Sequence, residues 1–325
     1  MKKTIQYLLL LALAGVLLYF SFKGVKWNDF IDGLKGCNFY WIALSIGIGI
    51  LGFVFRGLRW RLLLLPLNKS VTRKEAYNGV AIAYLTNFVL PRAGEIARCG
   101  VVAKSKKVTF EGALGTVVLE RGFDMLCLLF WIFILFLFKW NEFGSFLEQQ
   151  LFIPLQQKFS SNLIWVAAAG LALLIAVSAV AWIYRKKLLS IGIFAKVANI
   201  LKGLVQGVST AFKMEHKWLF FLYTAAIWAT YWLTSYTTIQ AFSSVSYLDG
   251  ADALFLMIVG GLGWVVPVQG GLGAYHFIVS LALWSVYSIP QTTGVIFATI
   301  SHESQALAMI VCGVISLISV GRKYK

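Results

Sequence analysis

Acid, proline, cysteine and histidine are all scarce in this sequence. Of its 325 residues, 13 are Asp or Glu, 5 are Pro, 4 are Cys and 3 are His. Each shortage excludes something. Charged residues make up only 13% of the chain and hydrophobic ones 59%, against about 25% and about 45–50% in ordinary soluble domains. That leaves too little polar surface to cover a soluble fold. The same apolar excess excludes intrinsic disorder, and the few prolines exclude a collagen-like chain. No CxxC occurs, and His216, His276 and His302 lie far apart in the sequence, so no metal site and no cofactor are expected. There is no Walker-type phosphate loop, no GxSxG elbow and no dinucleotide fingerprint. No connection between apolar runs is long enough for a catalytic domain, so enzymatic activity is not expected.

What the chain does have is apolar sequence, with a mean hydropathy of +0.79. A spanning helix needs about 20 mainly apolar residues. Runs at 5–22, 39–60, 113–138, 162–184, 218–241 and 292–318 meet that requirement. Ala12-Leu13-Ala14 offers a small-x-small cleavage site, but the first run continues unbroken to Phe22, which reads as an uncleaved anchor. Two further stretches do not fit a simple span. One, 76–91, is short and ends in Pro91; the other, 253–288, is interrupted by Pro267-Val268-Gln269-Gly270-Gly271-Leu272-Gly273.

The formal net charge is +16, and its distribution decides the topology. Most of the 29 basic residues cluster between apolar runs, from Lys2 and Lys3 through Arg56–Lys74, Arg92–Lys107 and Arg185–Lys217 to Arg322–Lys325. Such clusters mark cytoplasmic loops facing anionic lipid headgroups rather than a nucleic-acid surface. The other loops carry only Lys23, Lys26, Lys35, Lys139 and Lys158. On this pattern 76–91 enters and leaves from the cytoplasmic face, and 253–288 dips in from outside. Only Cys37 then lies on the oxidising side, so no structural disulfide is expected. The expected architecture is an all-α polytopic membrane protein of one integral domain, 1–325. It has about six full transmembrane helices plus two re-entrant half-helix elements from opposite faces. Both termini are cytoplasmic, in a bacterial-type inner membrane, and a basic amphipathic segment at 185–217 lies on the inner leaflet. The alternative is an interfacial helix at 76–91 and a kinked pair at 253–288.

Four polar features interrupt the apolar runs, and charges at such depth face a cavity or a partner. In Leu90-Pro91-Arg92-Ala93-Gly94-Glu95-Ile96-Ala97-Arg98, the charges Arg92, Glu95 and Arg98 recur at helical spacing, with Gly94 placed to supply a left-handed turn. Glu95 pairs with one arginine while the other meets an anion, or the whole is an interfacial turn tied by its own ion pairs. In Glu120-Arg121-Gly122-Phe123-Asp124 the two carboxylates share a face at i, i+4 and need a cation, a proton or an arginine. Arg121 points about 100° away, towards another helix or the inner headgroups. A cavity lining and a structural ion cluster both fit. At the break, Gly270, Gly271 and Gly273 allow the chain to reverse, so that a helix N-terminus and His276 face a phosphate or carboxylate; a ligand-free packed hairpin is the alternative. In Ser301-His302-Glu303-Ser304-Gln305, His302, Glu303 and Gln305 are expected to meet the broken helix or water. Asp249-Gly-Ala-Asp252 reads as a solvated outer loop.

Three of these motifs resemble the lysylphosphatidylglycerol synthase transmembrane-region family, also called flippase-like domain proteins. Asn87-x-x-Leu90-Pro91 with Gly94-Glu95 and Arg98 is similar to one family motif, Val118-x-Glu120-Arg121 with Asp124 to a second, and Pro267 with Gly270-Gly271-Leu272-Gly273 to a third. The family usually places a carboxylate shortly after this last break, where the present sequence has Tyr275-His276. The resemblance implies a membrane domain that, in its best-understood members, moves an aminoacylated phospholipid between leaflets. Those members also carry an aminoacyl-transfer domain, and a related group carries a glycosyltransferase; the chain stops shortly after its last apolar run, so neither activity is expected here. The leading expectation is a stand-alone lipid translocase. Its inner polar lining is Arg92, Glu95, Arg98, Glu120, Arg121 and Asp124, joined by His302 and Glu303. Its anion site is Gly270, Gly271, Gly273 and His276. Membrane lipids are the expected partners. The alternatives are an ion-coupled small-solute transporter, or a non-transporting partner of a separate envelope-lipid or glycan-modifying enzyme.

Overall fold

A computed structural model describes residues 2–149, 153–154 and 215–323, and among them every regular element is a helix. In chain order these are α1 (Lys2–Phe22), α2 (Trp27–Lys35), α3 (Phe39–Leu64), α4 (Arg73–Val89), α5 (Gly94–Ala103), α6 (Phe110–Phe138), α7 (Trp140–Leu147), α8 (Lys217–Gln240), α9 (Gly250–Val265), a 3-10 turn (Gln269–Gly271), α10 (Ala274–Tyr287) and α11 (Gln291–Lys323). The expected span at 162–184 and nearly all of the expected amphipathic segment at 185–217 lie outside the described residues.

Three of these helices, α3, α6 and α11, are long and apolar enough to cross a membrane. A fourth candidate is the bent pair Leu9–Phe22 and α2, which meet at 85°. This is fewer than the six full spans expected. The main difference among the described residues is α8, whose 24 residues suffice in length. Its five threonines and its Tyr and Trp side chains lower its hydropathy, and several of those threonines bond their own helix backbone, as Thr237 Oγ1 does to Leu233 O at 2.7 Å.

Sequence explains where the helices begin. Thr72 and Glu75 form a reciprocal capping box at the start of α4, and Asp249 and Asp252 form another at the start of α9. The latter corrects the reading of Asp249–Asp252 as a solvated loop. Asp252 is buried, with Lys139 Nζ 2.8 Å and the Tyr287 hydroxyl 2.8 Å from its carboxylate.

Small residues set how closely the helices approach. α3 packs most extensively on α8, where Gly52 abuts Thr230 and the Ser45 hydroxyl lies 3.3 Å from that of Thr238. On its other sides Gly49 lies against the Gln305 side chain of α11 and Gly57 against the backbone of Tyr77 in α4. Close approach through glycine, serine and threonine is how helices associate where lipid offers no hydrophobic drive. Two large apolar cores and two small clusters result among the described residues. One, around Phe255, Phe297 and Leu283, joins α2, α3, α6, α8, α9, α10 and α11. The second, around Trp60, Leu64 and Phe220, joins α3, α4, α5, α6 and α8.

Candidate functional site

The second core encloses a charge network. From α3 come Arg56 and Arg59, from α5 Glu95 and Arg98, and from α6 Glu120, Arg121 and Asp124. Glu120 is fully buried at its centre. Arg59 Nη2 lies 2.8 Å from its Oε1, Arg98 Nη1 2.7 Å from its Oε2, and Arg56 Nη2 3.5 Å from Oε1. Asp124, one turn on, takes Arg59 at 2.7 Å and Arg56 at 3.2 Å. Glu95 links the network to the surface, with Arg98 Nε at 2.7 Å and Arg121 Nε at 2.8 Å. The Arg98–Glu95 contact is an ion pair without the alignment of a hydrogen bond, and Arg98 Nη2 also lacks a hydrogen-bond partner. Among the described residues four guanidiniums thus face three carboxylates, an excess of one positive charge. Aromatic faces complete the enclosure, with the Arg98 guanidinium 4.9 Å from the Trp60 ring centroid and Arg56 donating to the Tyr231 hydroxyl at 2.7 Å.

Beside this network the two helix breaks meet. α4 ends at Val89, and the chain turns through Pro91 and Arg92, which takes φ 61°. Arg92 Nη2 then donates to the carbonyl of Val265, the last residue of α9, at 2.7 Å. Phe88 packs edge-on against Trp264 and directly against Gly270. The second break is built by positive φ at Gly270 (54°), Gly271 (77°) and Gly273 (79°), where any side chain would be strained. A side chain at Gly270 would also strike the Phe88 ring, and one at Gly273 the backbone of α1 at Ala14 and Leu18.

On the far side of the glycines lies a smaller cluster. His302 Nε2 is 2.8 Å from the Gly270 carbonyl, and its Nδ1 is 2.9 Å from Glu303 Oε1. His276, in the first turn of α10, is buried with Nε2 3.7 Å from the same Glu303 oxygen. The two imidazole centroids are 4.9 Å apart, and Trp264 stacks on His302 at 4.9 Å. One ligand-type atom from each of His276, His302 and Glu303 falls within 4.8 Å of the others.

A family model described as the lysylphosphatidylglycerol synthase TM region matches residues 7–313. The chain belongs to this family. No curated protein and no solved structure matches it. Family membership and the apolar helices together make it a membrane protein, in a family related to lipid metabolism or flipping.

In this family member the sequence-derived residues sort differently from the expectation. Glu95, Arg98, Glu120, Arg121 and Asp124 do come together, and Arg121 does answer another helix, at Glu95. Arg92 does not join them, because its reach to Val265 ties the two breaks instead. The left-handed residue is Arg92 and not Gly94, whose smallness serves a close approach to the Ala83 carbonyl oxygen. His302 and Glu303 belong with Gly270 and His276 rather than with the arginines. Gln305 instead reaches Ser45 on α3.

Arg56 and Arg59 were missed. Read as cytoplasmic charges at the end of the span 39–60, they are buried within α3, which runs on to Leu64. The signal was present in the i, i+3 spacing of the two arginines and in Leu62-Leu63-Leu64-Leu65, which carries the helix beyond them.

Proposed function

We propose that the chain is a flippase-like lipid translocase in a bacterial-type inner membrane, with no enzymatic activity of its own and both termini cytoplasmic. In this reading about six helices span the bilayer. α4 enters from the cytoplasmic face, and α9 and α10 form a re-entrant hairpin from the outer face. Two broken helices that abut are a common way for transporters to build a substrate site, and broken backbone at membrane depth is tolerated only when buried in protein or facing a wet cavity.

The observation that carries the reading is the uneven network of four guanidiniums against three carboxylates, with a rim that opens outward. Arg121 is 45% and Glu95 31% exposed, while Arg59 and Glu120 are fully enclosed. A negatively charged headgroup at Arg121 would balance the excess positive charge, its acyl chains staying in lipid. Glu120, Asp124, Arg56, Arg59 and Arg98 then hold the rim in place and do not themselves meet the headgroup. Gly270, Gly271, Gly273 and His276 form the second polar station along the path. The sequence has no Walker-type loop, so movement in this reading is downhill or ion-coupled.

The test is leaflet exchange of fluorescent anionic, zwitterionic and cationic phospholipids in liposomes holding the purified protein, beside Arg121→Ala. Exchange should favour the anionic lipid and fall about tenfold or more in the variant, the loss of one charge-assisted contact of about 1.5–3 kcal/mol. Exchange no faster than in empty liposomes, with the protein monodisperse, would defeat the translocase reading. Stable co-purification of a lipid- or glycan-modifying enzyme would then support the partner role.

A further inference from the structure

The His276–His302–Glu303 cluster poses a problem of its own. A carbonyl oxygen only accepts, so the 2.8 Å contact with Gly270 makes His302 Nε2 a donor. In the neutral ring that tautomer leaves a lone pair on Nδ1. This lone pair faces Glu303 Oε1 at 2.9 Å, an arrangement that is repulsive unless a cation or a proton lies between. A proton shared by His302 and Glu303 would settle that one pair and leave the second imidazole unexplained. His276 is 2% exposed, directs Nε2 towards the same carboxylate oxygen at 3.7 Å, and has an Nδ1 with no hydrogen-bond partner. Next to Gly270, the Gln269 side chain also has both amide atoms buried without a partner. It is the convergence of two imidazole nitrogens on one carboxylate oxygen, with an acceptor lone pair facing an acceptor, that calls for a cation between them.

We propose that His276, His302 and Glu303 form a site for a divalent transition metal of the zinc type. The donor set is two imidazoles and one carboxylate, which suits zinc and its neighbours and not magnesium or calcium. Ligand atoms about 2.0–2.2 Å from a tetrahedral zinc lie about 3.3 Å from one another. The carboxylate oxygen lies 2.9 and 3.7 Å from the two imidazole nitrogens, which brackets that spacing, and all three ligand atoms fall within 4.8 Å of one another, so the imidazoles close slightly on the ion. The Gly270 carbonyl supplies the outer hydrogen bond that fixes a metal-ligating histidine in the right tautomer. Three protein ligands leave a fourth position open, on the side where Glu303 is 51% exposed. The metal would tie α11 to the start of α10 across the glycine break. This assignment stands apart from the translocase reading, since metal binding is measured without transport.

The experiment uses full-length, tag-free protein in detergent, stripped with chelator and titrated with Co²⁺ and then Zn²⁺. Wild type should bind one Co²⁺ with the intense visible bands of tetrahedral coordination, displaced by Zn²⁺. His302→Asn and Glu303→Gln should each weaken binding by at least about tenfold, while His216→Ala should bind as wild type. Glu303→Gln alters a half-exposed side chain and so tests the site without threatening the fold. The absence of visible bands and of stoichiometric Zn²⁺ from monodisperse wild type would overturn the proposal. So would wild-type affinity in both ligand variants.

Discussion

Glu120 is fully enclosed and faces three guanidiniums within 3.5 Å, whereas Glu303 is half-exposed and faces two imidazoles. Both carboxylates sit well inside long, mainly apolar helices. Around Glu120, charge is matched by permanent charge: guanidinium stays protonated at any accessible pH, so the cluster is held together whatever the solvent does. Around Glu303 the partners are groups that are neutral or cationic according to what they bind. The first arrangement is suited to holding three helices together with a cationic rim, and the second to taking up and releasing something. A buried charge with fixed partners is costly to disturb, and a half-exposed one with adjustable partners is not.

The largest effect is therefore expected at Glu120. Glu120→Gln removes the charge that three buried arginines share and should cost about 3–5 kcal/mol, the range for breaking one side of a buried ion pair. Glu303→Gln should cost less than about 1 kcal/mol in metal-free protein. Thermal unfolding of both variants in one detergent reads the difference directly. Equal losses would mean that the two clusters do the same structural job.

A second comparison uses the breaks between helices. Gly270 has φ 54° and the Phe88 ring against it, while Gly261, in the middle of α9, has nothing within 4 Å of where a side chain would start. Gly270→Ala should destabilise by about 2 kcal/mol from left-handed backbone alone, and more with the clash. Gly261→Ala should stabilise by about 0.5–1 kcal/mol through helix propensity. Opposite signs in unfolding midpoints are expected; a loss at both positions would show that α9 needs its glycines for packing and not for the turn.

These contrasts also mark what could be seen in the sequence. The break at 267–273 was legible because Pro and Gly act locally, on φ and on the backbone hydrogen bond, and α9 and α10 flank it as expected. The carboxylate face of Glu120 and Asp124 was legible through i, i+4 spacing. Arg56 and Arg59 were legible only as one helical face, because an arginine near the end of an apolar run reads the same whether it snorkels to a headgroup or turns inward to a carboxylate on another helix. That His302 meets the broken helix was expected and is seen at the Gly270 carbonyl, but the pairing of its ring with that of His276 was not legible. The two histidines are 26 residues apart in sequence, and only the turn at Gly270, which brings α10 alongside α11, sets their rings together.

A smaller loss than at Glu120 should come from a third carboxylate, Glu75, in the first turn of α4 outside the apolar runs. Burial works to raise its pKa but is outweighed by Lys323 Nζ at 2.8 Å, by the Thr72 backbone N–H and by Lys107 Nζ at 3.1 Å, which hold it down to about 2. An acid held below its ordinary value near 4.3 stabilises the fold above that ordinary value, and the contribution is lost as pH falls through the range from about 4 towards about 2. Lys323 is 51% and Lys107 27% exposed, so solvent screening reduces the contribution to about 1–2 kcal/mol. Glu75→Gln should thus lie below wild type by a constant margin above pH 5, and the margin should close below pH 4. Unlike the Glu120 loss, it should also shrink in high salt, because two ammonium groups that reach water are screened while enclosed guanidiniums are not. A margin at Glu75 that ignores both pH and salt would place that carboxylate with Glu120, among charges the fold has sealed from solvent.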